Sequence, residues 1–361
     1  MNITLVAGAR PNFMKIAPII HAIEKAQTQR KPIQYRLVHT GQHYDKNMSE
    51  TFFEELHIPT PDVNLECGGG TQAEQTAHIM VAFEKELVLH PCDLVLVVGD
   101  VTSTMACSIV AKKLCIKVCH VEAGIRSWDL TMPEEINRMV TDALADIYFT
   151  TSEIANNNLR NAGVSEDKIH FVGNVMIDTL LKNRPFFRKT SLYDELCLQD
   201  KHYIVLTLHR PANVDEVEKL RHTMQVITEN VQGEPIIFPI HPRTAKIFSD
   251  LDIHANNLYI VEPMGYLEFN YLVEHARAVV TDSGGITEET TVMGIPCITL
   301  RDSTERPETC TIGTNELVGT SPEHIKPALE RLYANDWKKG SIPSLWDGHT
   351  AERIIDILVK L

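Results

Sequence analysis

Short apolar runs, each followed by a longer stretch with helical periodicity, alternate along the first half of this chain and constrain its fold more than any other feature. The runs and the stretches that follow them are 3–7 with 14–26, 35–40 with 48–56, 94–98 with 104–114, and 118–122 with 133–145. Continuous apolar strands separated by amphipathic helices are typical of a parallel sheet that is covered by helices on both faces. The pattern therefore predicts a doubly wound α/β domain.

The same alternation restarts in the second half of the chain. Its apolar runs are 147–150, 169–172, 203–208, 235–239, 258–261, 278–281 and 296–300. Between the two series, Val172-Gly173-Asn174 and the polar, basic segment 182–189 look like a crossover between domains. We therefore predict two doubly wound, Rossmann-like α/β domains that face a cleft, an N-terminal domain over 1–172 and a C-terminal domain over 173–348. The helical pattern of 349–361 is predicted to pack back on the N-terminal domain.

Composition limits the class of partner. The 361 residues carry 48 acidic and 34 basic side chains, for a formal charge of −14, whereas nucleic acid and anionic membranes attract basic surfaces. The eight cysteines form no Cys-x-x-Cys pair and several lie in apolar runs, so we expect small buried thiols in a reducing compartment. The amino terminus lacks a basic leader pattern, and the most apolar run is too short for a bilayer. We expect a cytoplasmic protein that binds neither nucleic acid nor membrane.

Candidate functional residues follow the strands of the N-terminal domain, where open α/β sheets bind their ligands. After the first strand, Arg10 and Lys15 flank a helix start whose amide groups and dipole favour an anion, although the two residues also fit an ordinary solvated loop. Asp100 follows the run 94–98 and either caps the next helix or faces the cleft. Glu122 ends another apolar run, where partial burial lets a carboxylate act as acid or base near neutral pH.

The segment Pro133-Glu134-Glu135-Ile136-Asn137-Arg138 opens a helix with proline in its first turn and two acids beside the positive end of the helix dipole. For Glu135 we prefer this favourable helix-start electrostatics as the explanation. For Glu134 we favour a role in the site, because we expect it to share a neighbourhood with Asp100 and Glu122.

In the C-terminal domain, His209 and His241 end two predicted strands at equivalent positions, which favours a functional role over a structural one. No Cys/His spacing completes a zinc ligand set, so no metal site is predicted. Neither a Gly-x-Gly-x-x-Gly fingerprint nor a Gly-Lys-Ser/Thr loop is present, so neither a nicotinamide nor an ATP requirement is indicated.

The strongest local signal is the turn Ser283-Gly284-Gly285 between a predicted strand and a predicted helix. Backbone amides in such a turn approach a diphosphate closely, with a plain helix cap as the alternative. Glu289, about one helical turn further on, is expected to accept hydrogen bonds from ribose hydroxyls. Arg306 offers a guanidinium for the same diphosphate.

Six motifs, in order along nearly the whole chain, resemble the nonhydrolysing UDP-N-acetylglucosamine 2-epimerase family. They are Gly-Ala-Arg-Pro-Asn-Phe-Met-Lys at 8–15, Gly-Asp-Val-Thr-Ser-Thr at 99–104, His-Val-Glu-Ala-Gly-Ile-Arg at 120–126, Pro-Glu-Glu-Ile-Asn-Arg at 133–138, Asp-Ser-Gly-Gly-Ile-Thr-Glu-Glu at 282–289 and Thr-Glu-Arg-Pro-Glu at 304–308. The resemblance implies a glycosyltransferase-B type fold, UDP-GlcNAc as substrate, UDP-ManNAc as product and a homodimer. No cofactor is expected, because the motifs that bind a nicotinamide or ATP are missing.

The resemblance implies catalytic roles for Asp100, Glu122, Glu134 and His209. The substrate-binding candidates are Arg10, Lys15, Arg138, His241, Met264, Phe269, Ser283, Gly284, Gly285, Glu289 and Arg306. Met264 and Phe269 are expected near the uracil. The implied isomerase reaction inverts C2 by elimination and re-addition of UDP through 2-acetamidoglucal, and which carboxylate serves which step stays open.

Two departures from the family pattern matter. Many bacterial members are activated by substrate at a second site that uses a Gln-His-Arg segment and an Arg-Gln pair, where this chain has Gln42-His43-Tyr44-Asp45 and Gly68-Gly69-Gly70. Without those guanidinium groups, substrate activation is predicted to be weak or absent. The family's His-Arg-x-Glu-Asn is His209-Arg210-Pro211-Ala212-Asn213 here, so the glutamate of that motif has no counterpart.

Three other readings remain. A hydrolysing 2-epimerase would release ManNAc and UDP, but its usual Ser-Arg-Ala-Glu-Tyr-Gly loop does not match 8–13. A retaining glycosyltransferase would need an acceptor groove, for which the sequence has no marker. A sugar-nucleotide sensor would bind without turnover, but carboxylates that face a diphosphate add little to a binding module.

Overall fold

The computed structural model describes residues 1–42, 55–240, 248 and 255–361, with the Arg10 side chain outside the described part. The chain forms two compact units. The first comprises Met1–Lys182 and Ser344–Leu361, and the second comprises Asn183–Pro343. The predicted helix 48–56 lies almost entirely outside the described residues, and His241 lies outside them as well.

The first unit contains a parallel sheet of seven strands in the order β3-β2-β1-β4-β5-β6-β7. Its strands are β1 Asn2–Ala7, β2 Gln34–His39, β3 Val63–Asn64, β4 Leu94–Val98, β5 Lys117–Val121, β6 Ile147–Thr150 and β7 Ile169–Phe171. All five residues of β4 are buried, because this central strand has helices on both faces. The chain reverses its direction of strand addition between β1 and β4, as at the ligand-binding switch point of doubly wound sheets.

Helices cover this sheet. They are α1 Arg10–Thr28, α2 Gln72–Leu89, α3 Thr102–Lys113, α4 Pro133–Leu144, α5 Glu153–Asn161 and α6 Val175–Asn183, with a 3₁₀ turn at Glu166–Lys168. The C-terminal helix, Thr350–Leu358, is numbered α14 below, and it packs against α1 with Ile354, Ile355 and Leu358 buried.

The second unit contains a parallel sheet of six strands in the order β10-β9-β8-β11-β12-β13, which is the 3-2-1-4-5-6 order of the Rossmann fold. Its strands are β8 Ile204–Thr207, β9 Ile236–Pro239, β10 Leu258–Val261, β11 Ala278–Thr281, β12 Cys297–Thr299 and β13 Asn315–Leu317. Its helices are α7 Ser191–Glu195, α8 Pro211–Val214, α9 Val217–Asn230, α10 Tyr266–His275, α11 Gly284–Met293, α12 Pro307–Thr311 and α13 Ile325–Tyr333, with 3₁₀ turns at Arg184–Phe186 and Pro322–His324. Two apolar clusters, one on each face of the sheet, form its core.

Two strands that the pattern counts in the second alternating series belong to the first sheet. β6 pairs with β5 and β7 pairs with β6, so the runs 147–150 and 169–172 lie in the first unit, within the N-terminal domain predicted over 1–172. Helix α6 also belongs to the first unit, because the Asp178 carboxylate accepts hydrogen bonds from the amides of Thr350 and Ala351 at 3.1 and 2.7 Å. The unit boundary therefore lies after Lys182, ten residues beyond the sequence-based boundary.

Helix α2 is absent from the sequence-based prediction. Its start carries a capping box, in which the Thr71 hydroxyl accepts from the Glu74 amide at 3.2 Å and the Glu74 carboxylate accepts from the Thr71 amide at 2.8 Å. That Thr-x-x-Glu spacing was the signal in the sequence that could have predicted the helix.

The expectation of buried cysteines also needs correction, because Cys115 and Cys197 are exposed free thiols. No helix within the described residues combines the length and apolarity that a bilayer span requires.

Candidate active site

The turn between β1 and α1 is held by Asn12, which is buried. Its Oδ1 accepts hydrogen bonds from the amides of Gly8 and Ala9 at 3.0 and 3.1 Å, and its Nδ2 donates to the Val98 carbonyl at 3.1 Å. The turn is also tightly packed, since a Cβ on Gly8 would lie 2.1 Å from the Ser103 hydroxyl oxygen. Asn12 thereby ties the first turn of α1 to the carboxyl end of β4 and sets the position from which Lys15 projects.

Lys15 and Glu122 form an ion pair at the carboxyl ends of β1 and β5. Lys15 Nζ lies 2.5 Å from Glu122 Oε2, and only 2% of the Glu122 side chain is exposed. Glu122 has a φ of +70°, a left-handed conformation that costs a non-glycine residue energy and that the surrounding structure must hold in place. Gly99 packs directly against this pair, since a Cβ on Gly99 would lie 2.8 Å from Lys15 Nζ and 3.5 Å from Glu122 Oε2. The structure thus brings together two residues that the sequence had placed in separate motifs.

Asp100 is held by Arg138 from helix α4. Arg138 Nη2 lies 2.5 Å from Asp100 Oδ2, and its Nη1 donates to Glu135 Oε2 at 2.8 Å. Arg138 is almost fully buried whereas the Asp100 side chain is 28% exposed. A buried guanidinium shared by two carboxylates orients the more accessible of them. This geometry gives Arg138 an orienting contact with Asp100 in addition to the substrate contact expected from the sequence.

The two glutamates at the start of α4 differ sharply. Glu135 is fully buried and its Oε2 accepts from the Ser127 amide at 2.9 Å and the Ser127 hydroxyl at 3.0 Å, which fits the structural role preferred from the sequence. Glu134 is exposed at the helix start. Its carboxylate is therefore accessible to a ligand, in contrast to that of Glu135.

A buried triad of His120, Asp142 and Arg126 supports this site, and the sequence analysis missed it. His120 Nδ1 lies 2.7 Å from Asp142 Oδ1, His120 Nε2 lies 2.8 Å from the Gly99 carbonyl, and Arg126 Nη1 lies 2.7 Å from Asp142 Oδ2. Burial alone raises the pKa of Asp142, but the charges and hydrogen bonds of His120 and Arg126 outweigh it and hold that pKa below its usual value. The triad fixes the carbonyl of Gly99, directly before Asp100.

In the second unit, the Ser283-Gly284-Gly285 turn joins β11 to the first turn of α11, as predicted. The Thr281 hydroxyl accepts from the Ser283 amide at 3.0 Å, and the Thr287 hydroxyl donates to the Gly284 carbonyl at 2.6 Å. A Cβ on Gly284 would lie 2.7 Å from Glu305 Oε1, so the turn packs closely against the 301–306 segment. A helix start of this kind presents backbone amides and the positive end of the helix dipole, which favour an anion.

Arg306 is buried beside this turn and its Nε donates to Glu288 Oε1. Arg301 makes a similar pair, with its Nη2 2.5 Å from Glu305 Oε2. A guanidinium carries five N–H donors, so an ion pair with Glu288 and a contact with a phosphate do not exclude each other. The sequence predicted the cation but not its carboxylate partner, which lies 18 residues earlier in the chain.

Glu289 lies in a closed environment, since it is 4% exposed and its Oε1 accepts from the Tyr266 hydroxyl at 2.9 Å. Burial raises the pKa of Glu289 to about 7, and the charge of Glu288 acts in the same direction. Met264 and Phe269, the residues expected near uracil, are half-buried. They pack against the apolar cluster that covers one face of the second sheet.

The raised pKa of Glu289 predicts a pH-dependent stability. The folded state holds this proton more tightly than the unfolded chain, so the stability it provides is complete below pH 4.5 and is lost as the pH rises to about 7. Between pH 4.5 and 8, we therefore expect the free energy of unfolding of the wild type to fall by about 3 kcal/mol more than that of Glu289→Gln. Urea unfolding across this range measures it, with the exposed Glu262→Gln as control. An identical pH dependence in Glu289→Gln and wild type would contradict the prediction.

His209 follows β8 and is 60% exposed at its side chain, whereas its partner Asp282 is fully buried. The ring Nδ1 lies 2.7 Å from Asp282 Oδ1. Burial alone raises the pKa of Asp282, but the contacts with His209, Arg210 and Asn213 outweigh it and keep that pKa below its usual value. Within the described residues, no three His, Cys, Asp or Glu side chains are grouped to hold a metal ion.

The fold and these sites define a two-domain α/β protein of Rossmann type in which charged side chains follow the strands. The chain belongs to the UDP-N-acetylglucosamine 2-epimerase family, whose model matches residues 25–359. It is 41% identical to a UDP-N-acetylglucosamine 2-epimerase of Methanocaldococcus jannaschii over 99% of both chains. It is also 37% identical to a UDP-2,3-diacetamido-2,3-dideoxy-D-glucuronate 2-epimerase of Pseudomonas aeruginosa over the full length of both.

Solved structures agree with this assignment. The crystal structure of the M. jannaschii UDP-GlcNAc 2-epimerase in complex with UDP-GlcNAc and UDP matches with a TM-score of 0.88 at 41% identity, covering all of both chains. The enzyme from Neisseria meningitidis bound to UDP-GlcNAc matches with a TM-score of 0.90 at 29% identity, again over all of both chains. The predicted fold class, two Rossmann-like domains of glycosyltransferase-B type, is confirmed.

Proposed function

We propose that this chain interconverts UDP-GlcNAc and UDP-ManNAc without hydrolysis, by eliminating UDP to 2-acetamidoglucal and adding it back. The observation that carries the proposal is the Lys15–Glu122 pair, a cation and a buried carboxylate 2.5 Å apart at the strand ends of a family member. The relatives that are UDP-N-acetylglucosamine 2-epimerases, and the UDP-GlcNAc bound in the solved structures of two of them, support the sugar nucleotide.

The chemistry of C2 explains why such a pair is needed. No carbonyl in the GlcNAc ring acidifies the C2 hydrogen, so direct deprotonation is difficult. When UDP departs from C1, an oxocarbenium-like centre forms and the neighbouring C–H becomes acidic. A base then takes that proton, and the C1–C2 double bond of 2-acetamidoglucal forms. Return of a proton to the opposite face of C2, with re-addition of UDP at C1, completes the inversion.

In this proposal, the carboxylates of the first unit carry the protons. Glu122 is withdrawn from water and fixed by Lys15, and Asp100 is oriented by Arg138, which gives two positioned acid–base groups. Glu134 at the start of α4 is the third candidate. His209 of the second unit is assigned to the same chemistry.

The leaving diphosphate needs positive charge and hydrogen-bond donors. We assign that role to the Ser283–Gly285 amides and Arg306 of the second unit, and to Arg10 and Lys15 of the first. Glu289 is assigned to the ribose, and Met264 and Phe269 to the uracil. His241 is kept as a binding candidate. A homodimer, on the basis of family resemblance, and a cytoplasmic location, on the basis of the sequence composition, complete the proposal.

A second substrate is favoured by a specific observation, the 37% identity to the diacetamido-glucuronate 2-epimerase of P. aeruginosa. That enzyme's name specifies inversion at the same carbon of a different UDP-sugar. The two candidates differ by substituents at C3 and C6, so they place different demands on charge near the sugar. Comparison of kcat/KM for the two UDP-sugars decides between them.

The decisive experiment is proton NMR of the purified protein with UDP-GlcNAc in deuterated water, without added cofactor. We expect UDP-ManNAc to appear with deuterium at C2, because the proton that returns to C2 comes from solvent-exchanged groups. Free ManNAc with UDP would assign the hydrolysing reaction instead. UDP-ManNAc that retains its original hydrogen, or binding without any product, would overturn the proposed mechanism. A reaction without protein is the control.

A further inference from the structure

Asp282 is buried next to His209, and its carboxylate accepts hydrogen bonds from the segment that follows β8. Its carboxylate accepts from the His209 amide at 3.0 Å and the Arg210 amide at 2.9 Å, and from Asn213 Nδ2 at 3.1 Å. The ring Nδ1 of His209 lies 2.7 Å from the other carboxylate oxygen. One carboxylate therefore fixes both the backbone that carries His209 and the orientation of its ring.

The contact also determines which ring nitrogen carries a proton. Burial alone raises the pKa of Asp282, but the hydrogen bonds outweigh it, so the group stays ionised near neutral pH and can only accept at Nδ1. Nδ1 must then be the N–H donor. In neutral His209, the lone pair lies on Nε2, on the ring edge away from Asp282, in a side chain that is 60% exposed. A base needs that arrangement.

We propose that Asp282 is the positioning residue for His209: it holds the imidazole as the Nδ1–H tautomer and leaves Nε2 to exchange a proton with the substrate. The inference rests on the proposed function of His209 in the epimerisation. It adds a role for the aspartate of the Asp-Ser-Gly-Gly segment that differs from the diphosphate contact assigned to the residues after it. A carboxylate at Nδ1 also stabilises the imidazolium that forms when Nε2 takes a proton.

The first test does not depend on turnover. Two-bond proton–nitrogen NMR spectra of the histidine rings, with the His209 signals assigned by their loss in His209→Gln, report the tautomer directly. We expect a protonated Nδ1 and, in the neutral ring, an unprotonated Nε2. A neutral ring that carries its proton on Nε2 would overturn the inference, whatever reaction the protein catalyses.

The second test uses Asp282→Asn, whose amide presents an N–H to the ring and favours the opposite tautomer. We expect kcat to fall about 100-fold with the dissociation constant for UDP little changed, and the pH profile of kcat to shift. Asn213→Ala is the matched control, because it removes another donor to the same carboxylate without touching the ring. An equal loss of kcat in Asn213→Ala would mean that Asp282 acts only on the fold of the segment.

A double-mutant cycle separates positioning from general structural damage. If Asp282 acts through His209, Asp282→Asn adds little loss of kcat in a His209→Gln background. Fully multiplicative losses would contradict the inference. If wild-type protein shows no epimerisation, the proposed function fails, but the tautomer measurement still decides the His209–Asp282 relationship.

Discussion

Replacement of Glu122 by glutamine is expected to lower kcat for epimerisation by about 1,000-fold, because an amide cannot take or return the C2 proton. The affinity for UDP should hold or rise slightly, since Lys15 loses the carboxylate that lies 2.5 Å from its Nζ and keeps its positive charge for phosphate. Steady-state rates with UDP-GlcNAc and calorimetric titration with UDP measure the two quantities separately.

The matched control for this substitution is Glu66→Gln in the same unit. Glu66 also has a positive φ, of +55°, but its side chain is exposed and lies outside the proposed site. Its replacement should leave both kcat and UDP affinity unchanged. If Glu122→Gln weakened UDP binding as strongly as turnover, Glu122 would be part of the nucleotide site and not the acid–base machinery.

Gly173→Ala is expected to destabilise the first unit by about 3 kcal/mol or more. Gly173 has a φ of +102°, and a Cβ there would lie 2.1 Å from the Leu345 carbonyl oxygen and 2.8 Å from the Thr350 hydroxyl. The clash is with backbone, so it is relieved only if the returning C-terminal segment moves away from β7. Urea unfolding followed by circular dichroism measures the loss.

Gly163→Ala isolates the cost of the positive φ from the cost of the clash. Gly163 has a φ of +87° but nothing lies within 4 Å of the position of its Cβ. We expect it to cost only about 1 kcal/mol. Similar losses in the two variants would show that the contact with Leu345 contributes nothing to the packing of the C-terminal segment.

Local pattern was sufficient for much of the fold. The strands Leu94–Val98, Ile147–Thr150, Leu258–Val261 and Ala278–Thr281 have the bounds predicted from their apolar runs. Strands β3 and β13 were not predicted, because each is only two or three residues long and contains a single apolar residue. In helix α2, the exposed Val81, Val88 and Leu89 blur the amphipathic pattern.

In the candidate site, the sequence likewise predicted part of the arrangement and the tertiary structure determined the rest. The sequence by itself determined that acids, cations and a Gly-Gly turn follow apolar strands, since strand ends and turns are local features of the chain. Only the tertiary structure decided their partners: Lys15 meets Glu122 across 107 residues, Arg138 meets Asp100 across 38, and His209 meets Asp282 across 73. These pairs form because β5 lies next to β4, β4 next to β1, and β8 next to β11, so that their carboxyl ends converge. Strand order depends on the packing of the whole sheet, which no local periodicity encodes.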